Sequence, residues 1–202
     1  MSNQQSPVSR TNGHDLLLGE WACLGILYPA PTHGFAIAAR LKPVGDVGRV
    51  WSVSRPLTYR SLDQLSTRGY IHAIGQEPGI AGGNRTVLAA TRAGRAQLRA
   101  WLHRPVAHLR DVRSELLLKL VIADLCSIDI TDMLERQRDQ IQALADALTE
   151  QAHSAGPAPD VVALWRSESA NAALRFLGRL GPARSPQYRD DHDGLPRTTR
   201  PA

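Results

Sequence analysis

The sequence predicts a mainly α-helical protein with one short β-hairpin, divided into a basic N-terminal domain and a helical C-terminal domain. Apolar residues recur at helical spacing along most of the 202 residues, and two strand-like runs flank a loop rich in glycine and proline. Residues 1–104 carry 12 Lys+Arg against 5 Asp+Glu, a net of +7, and residues 105–202 carry 12 against 14, a net of −2. The N-terminal half therefore suits a polyanion, although a basic surface can also serve solubility alone.

Glycine and proline bound the first two helices. A polar leader, residues 1–12, is expected to be disordered. Apolar residues then recur from position 14 to about 28, where Pro29 and Pro31 end the run, and HGFAIAARLKP predicts a short helix that opens with Gly34.

The segment VSRPLTYRSLDQLSTRGYI, residues 53–71, predicts the third helix. Ser54 is placed as its N-cap, Pro56 lies in the first turn, and Gly69 is placed as its C-terminal cap. A helical wheel divides this helix into two faces. The packing face holds Leu57, Thr58, Ser61, Leu62 and Leu65, and the opposite face holds Arg55, Pro56, Tyr59, Arg60 and Asp63.

Two strand-like runs, YIHAIGQ and NRTVLAA, follow and are separated by EPGIAGG, so they predict a β-hairpin. A further helix is expected from about residue 91 to 103. Three helices, a hairpin and a helix within about 90 residues form the pattern of a winged helix-turn-helix domain, which we place at residues 13–104.

The C-terminal part predicts a helical domain at residues 105–180, followed by a disordered tail at 181–202. VRSELLLKLVIADL is almost continuously apolar, and the next helix repeats Leu134, Ile141 and Leu148 every seven residues. Another stripe holds Val161, Trp165, Ala172, Phe176 and Leu180. Three helices alone cannot easily enclose so many large apolar residues in one core. A second copy of the chain would bury the remaining apolar surface, most simply through a two-fold interface.

HGFAIAARL, VSRPLTYRSLDQLSTRGYI, the hairpin and TRAGRAQLRAWL together resemble the PadR family of transcriptional regulators, and RSELLLKLVIADL resembles the first helix of that family's dimerisation domain. The resemblance implies a homodimeric repressor that binds a palindromic operator in double-stranded DNA and is released by a small-molecule effector or another signal. We expect no cofactor, and the two isolated cysteines and the polar leader predict a cytoplasmic protein. Its third helix would enter the major groove. The chain departs from the family pattern at Phe35, where a tyrosine is usual, and in LAAT, which is less bulky than the usual second wing strand.

The expected DNA contacts follow from the resemblance and from the chemistry of the side chains. Arginine can fork onto guanine or bind phosphate, and tyrosine can donate to a phosphate oxygen. Base and groove contacts are assigned to Arg55, Tyr59 and Arg60 on the third helix, and Ser54 and Thr58 support the start of that helix. Arg85 of the hairpin would reach phosphate or the minor groove. His33 and Lys42, at the ends of the second helix, are weaker candidates for phosphate contacts.

Other functions have less support in the sequence. No motif of a hydrolase, zinc protease or nucleotide-binding enzyme occurs, so we expect no enzyme and no metal site, and RDDHDG around His192 is interpreted as a solvated tail. Cys23 and Cys126 are expected to be buried free thiols, and no segment is expected to enter a membrane. A winged helix that binds only an acidic protein stays open as an alternative. Trp101 and Trp165 could line an effector pocket, or, like Trp21, could serve the core.

Overall fold

The computed structural model describes residues 16–78, 83–154 and 160–180. In these residues it confirms the predicted class, because helices dominate and a small antiparallel sheet forms the wing. The elements are α1 (Leu18–Leu27), β1 (Thr32–His33), α2 (Gly34–Arg40), α3 (Arg55–Thr67), β2 (Ile71–Pro78), β3 (Asn84–Ala90), α4 (Arg92–Leu102), α5 (Leu117–Cys126), α6 (Thr131–Ser154) and α7 (Val161–Arg179). The expected disordered leader lies outside the described residues, as does the tail from residue 181.

The chain divides into two compact units, Met1–Cys126 and Ser127–Ala202. We expected a domain boundary after residue 104, whereas the first unit also includes α5. That helix packs closely on α1, because an added Cβ at Gly25 would lie 2.8 Å from the side chain of Ile122. The thiol of Cys126 also donates to the carbonyl of Gly25 at 3.5 Å.

The core of the first unit is built from the apolar faces of α1, α2, α3, α4 and α5. Its largest fully buried side chains are Trp21, Leu24, Ile26, Leu27, Ile37, Leu41, Leu65, Leu98, Leu102, Leu116, Leu118 and Lys119. Burial of this kind contributes about 1.5–3 kcal/mol for each large aliphatic side chain. The core therefore fixes α3 against α1 and α2, and it leaves the opposite face of α3 in solvent.

Helix α3 begins and ends where its sequence predicts. Pro56 lies in the first turn, Thr58 donates its hydroxyl to the Ser54 carbonyl at 3.0 Å, and Gly69 adopts a left-handed φ of +70° after the helix. One face prediction is wrong: Leu57 is 52% exposed, whereas Leu62 is 4% exposed. Leu57 lies in the first turn at the margin of the packing face, so the core reaches the leucines of later turns but not this one.

The wing is a three-stranded antiparallel sheet in the order β1-β3-β2. The hairpin register runs from Ile71 opposite Ala90 to Pro78 opposite Asn84, with an irregularity between Ala73 and Gly75. Strand β3 pairs with β1 on its other side, so that His33 lies opposite Val87. This pairing connects the wing directly to the start of α2.

The second unit pairs α6 with α7. Ile141 and Leu148, two residues of the predicted seam on α6, are buried. The predicted stripe on α7 is not the face that packs in this unit, since its large residues Val161 and Trp165 are 75% and 72% exposed. Helix α7 instead buries Ala170, Ala173 and Leu177. Small alanines on that face allow close helix packing, which a search for large apolar residues overlooks.

No helix in the described part of the chain has the length and apolar character needed to cross a membrane.

Candidate nucleic-acid interface

The exposed face of α3 carries the three residues predicted to contact DNA. Arg55 and Arg60 are exposed, and Tyr59 is 40% exposed. The Tyr59 ring lies against Gly34 of α2, where an added Cβ would come within 2.9 Å of a ring carbon. Only glycine at position 34 therefore allows the ring to pack this closely between the two helices.

The two residues predicted to support the helix start differ in exposure. Thr58 is fully buried, so its hydroxyl bond to the Ser54 carbonyl stabilises the first turn and the side chain has no surface for a ligand. Ser54 is the N-cap residue, but its side chain makes no capping hydrogen bond. An N-cap side chain normally accepts from the second or third helical N–H, and Pro56 occupies the second position without an N–H. Ser54 is exposed at the start of α3.

Phe35 organises two arginines from different elements, a role that sequence reasoning missed. The guanidinium of Arg55, from α3, lies 5.5 Å from the centroid of the Phe35 ring, and that of Arg85, from β3, lies 5.2 Å from it. Arg55 also lies 5.9 Å from the Tyr59 ring centroid. The ring is 48% exposed, so it holds both cations at the surface. We call Phe35, Arg55 and Arg85 the aromatic-arginine cluster.

His33 and Arg85 form a pair of donors at the base of the wing. The Nδ1 atom of His33 accepts a hydrogen bond from the Ala36 backbone N–H at 3.1 Å. In the neutral imidazole that bond places the proton on Nε2. Nε2 lies 3.4 Å from Nη1 of Arg85, which is also a donor, so the two groups do not satisfy each other. An oxyanion can accept from both.

Lys42 lies beside the same surface, at a groove of about 400 Å³ between α2 and the start of α3. The groove has an apolar floor and cationic or hydroxyl groups at its rim. Its lining residues are Phe35, Ala38, Ala39, Lys42, Pro43, Ser52, Val53, Ser54 and Arg55. The segment before α3 is tightly wound, because Gly48 donates to the Arg40 carbonyl at 2.9 Å and Arg40 binds Asp46 with two nitrogens. The side chain of Arg40 also lowers the pKa of the Asp46 carboxyl.

The two tryptophans predicted as ligand candidates belong to different units. Trp101 is buried in the first unit and stacks on Trp21 with ring centroids 4.7 Å apart. Its Nε1 donates to Glu115 at 3.0 Å, and the ammonium of the buried Lys119 lies 4.9 Å from its ring centroid. Trp101 is therefore a core residue of the first unit. Trp165 belongs to the second unit, where its side chain is exposed.

Both cysteines are free thiols, of which Cys23 is buried as expected and Cys126 is only half-buried. Burial raises the pKa of Cys23 to about 12, and it raises the pKa of Cys126 to about 12 as well. Within the described ranges no group of three or more metal-ligating side chains comes together, and His192 lies outside those ranges.

Comparison with protein-family models gives no match, and no curated protein matches the chain. Several solved structures match the chain. This chain is similar to PadR transcriptional regulators. PadR of Bacillus subtilis in complex with operator DNA is 20% identical, with 80% of this chain and 96% of that one covered and a TM-score of 0.42. A PadR-like transcriptional regulator of Bacillus cereus is 20% identical, with coverages of 83% and 96% and a TM-score of 0.38.

A protein of Streptococcus mutans is 16% identical, with coverages of 81% and 98% and a TM-score of 0.40. Two of these three structures thus belong to the kind of regulator that the sequence resembles.

Proposed function

We propose that this protein is a sequence-specific DNA-binding transcriptional regulator that uses α3 as its recognition helix. The observation that carries the proposal is the aromatic-arginine cluster, in which Phe35 holds one arginine of α3 and one of the wing at the same surface. A winged helix places its recognition helix in the major groove while the wing reaches the neighbouring backbone or minor groove. The cluster orders cations on both of these elements before DNA arrives.

Each side chain has a specific part in this mechanism. Arg55 and Arg60, near the start of α3, read guanine or bind phosphate, and Tyr59 donates its phenol to a phosphate oxygen. Arg85 and the Nε2–H of His33 share one phosphate oxygen at the base of the wing. Lys42 contributes a further phosphate contact beside the groove. These roles are supported by exposure, by the cluster and by the donor pair described above.

The test is a gel shift across a salt series, with DNA from upstream of the protein's own gene and with duplexes enriched from a random-sequence pool. The Arg55→Ala/Tyr59→Ala variant should bind both more weakly. Its affinity should also depend less on salt, by up to roughly one unit of log–log slope, because only the lost arginine, and not the neutral phenol, releases counterions from phosphate.

Arg68→Ala is the matched control, because Arg68 is exposed just beyond the opposite end of α3 and should leave both quantities unchanged. If the wild-type protein binds neither DNA at low salt, the proposal is wrong. The winged helix that contacts an acidic protein then becomes the better explanation of the cluster.

The proposal includes a homodimer formed through the second unit. Helix α7 buries one face that includes Ala170 and Leu177, while Val161 and Trp165, on the opposite face, stay exposed. Two apolar faces on one helix support a partner for the second face, and a second copy gives a closed two-fold interface. On a palindromic operator, the two copies of α3 would enter major grooves about one DNA turn (~34 Å) apart.

Sedimentation of a Trp165→Asp variant tests this interface. The wild-type protein should sediment as a dimer and the variant as a monomer, because a carboxylate would be buried there without a partner. Arg166→Ser changes the next exposed residue, which points away from the stripe, and should sediment like the wild type. An unchanged dimer in Trp165→Asp would place the interface elsewhere.

Repression and release by a signal complete the proposal. Operator occupancy would block transcription, and a small-molecule effector would lower the affinity for DNA. Transcription in vitro from the bound promoter, with and without the protein, distinguishes repression from activation. A ligand that uses Trp101 would have to displace Trp21 or Lys119 from its ring, so its binding should change tryptophan fluorescence.

A further inference from the structure

Leu57 is a large apolar residue exposed on the face of α3 that we propose enters DNA. It is 52% exposed, whereas Leu62 and Leu65 of the same helix are 4% and 0% exposed. A single exposed leucine is ordinary on a protein surface. The place of this one is informative, because the core leaves it in the first turn among side chains suited to contact DNA.

The position of Leu57 gives the exposed face of α3 two chemically different edges. Around the helix, the face runs from Arg55 at one edge, through Tyr59 and Arg60, to Leu57 at the other. Side chains on an α-helix lean toward its N-terminus, so Leu57 covers the end of α3 that a recognition helix inserts most deeply. One edge therefore offers the guanidinium of Arg55, and at the other edge Leu57 adds an apolar surface.

In the major groove one base carries an apolar group that matches such an edge. Thymine presents its C5 methyl there, and apolar side chains contact this methyl in protein–DNA complexes. We propose that Leu57 is a specificity-determining residue that selects thymine by packing on its C5 methyl, beside the base or phosphate contacted by Arg60. This inference rests on the proposed function of α3 as a recognition helix.

The experiment removes only the methyl group. Duplexes enriched by the wild-type protein from a random-sequence pool are synthesised again with each thymine replaced in turn by deoxyuridine. Deoxyuridine keeps the same hydrogen-bonding groups but lacks the C5 methyl. The affinities of the wild type, Leu57→Ala and Val44→Ala are then measured on every duplex. Val44 is the matched control, because it is an apolar residue, 94% exposed, that lies before α3.

At one thymine in each half-site, wild type should lose about fourfold in affinity on deoxyuridine, the effect of returning one buried methyl group to water. Val44→Ala should show the same loss. Leu57→Ala should bind the thymine and deoxyuridine duplexes equally, with an unchanged melting temperature because the leucine is exposed.

Two results would overturn the inference and leave the proposed function standing: wild-type protein that binds every thymine and deoxyuridine pair equally, or a Leu57→Ala variant that discriminates as well as wild type. Failure of the wild-type protein to enrich any duplex would overturn both.

Discussion

Replacing Phe35 with leucine tests whether the ring orders the two arginines before DNA binds. Leucine keeps an apolar side chain but removes the π face that lies 5.5 Å from Arg55 and 5.2 Å from Arg85. Immobilising a long side chain on binding costs about 0.5–1.5 kcal/mol. By holding an arginine in place beforehand, the Phe35 ring can offset this cost by at most the energy of one cation–π interaction, about 0.5–1 kcal/mol at a partly exposed site. Two arginines therefore give about 1–2 kcal/mol, or about five- to thirtyfold in affinity.

Fluorescence anisotropy with a labelled duplex from the enriched pool measures this loss across a salt series. Phe35→Leu should weaken binding at every salt concentration without changing the slope of log affinity against log salt, because every charge remains. Phe35→Tyr keeps the ring and should bind at least as tightly as the wild type. Two observations would refute the reasoning: wild-type affinity in Phe35→Leu, or a slope that falls as it does when an arginine is removed.

Three further predictions concern the first unit. Lys119 is fully buried and lies 2.9 Å from the Glu115 carboxylate. Glu115→Gln removes this carboxylate and should lower the free energy of unfolding by about 3 kcal/mol in urea titrations. A loss below about 1 kcal/mol contradicts this prediction. Gly94→Ala places a Cβ 2.2 Å from the Tyr70 carbonyl oxygen, so it should cost about 1–3 kcal/mol in the same assay, and an unchanged midpoint would show that the contact relaxes freely. Burial raises the pKa of Cys23 from 9.0 to about 12, so the folded state favours the neutral thiol. Stability should therefore fall as pH rises from about 9 toward 12, and a Cys23→Ala variant, measured by thermal unfolding, should lose less over that range.

The parts of the fold that local chemistry determines could be predicted from the sequence. Pro56 and Gly69 bound α3 because proline lacks the N–H that a first turn does not use, and glycine adopts the positive φ that ends a helix. The hairpin follows from two strand-like runs around a glycine-rich loop. The third strand of the wing, Thr32–His33, could not be predicted, because its pairing with β3 joins residues far apart in sequence.

The candidate site was predicted in its residue types but not in its geometry. A helical wheel identifies Arg55 and Tyr59 as exposed because exposure on one helix is periodic. The wheel cannot identify Phe35 as a common support, since Phe35, Arg55 and Arg85 come from α2, α3 and β3. It also places Leu57 on the packing face, because a wheel has no information about where along the helix the core ends.

Arg55 lies where an isolated helix would not favour it. As the first residue of α3 it places a cation beside the positive end of the helix dipole, which is unfavourable by about 0.3–1 kcal/mol at an exposed position. No acidic residue in the first turn compensates for it. The Phe35 ring offers a negative π face in its place, and a phosphate at the same end would interact favourably with both the dipole and the guanidinium. The unfavourable interaction of Arg55 with the helix dipole in the free protein is thus outweighed when an anion binds. The position of Arg55 therefore favours a surface that binds a polyanion over one that only contacts solvent.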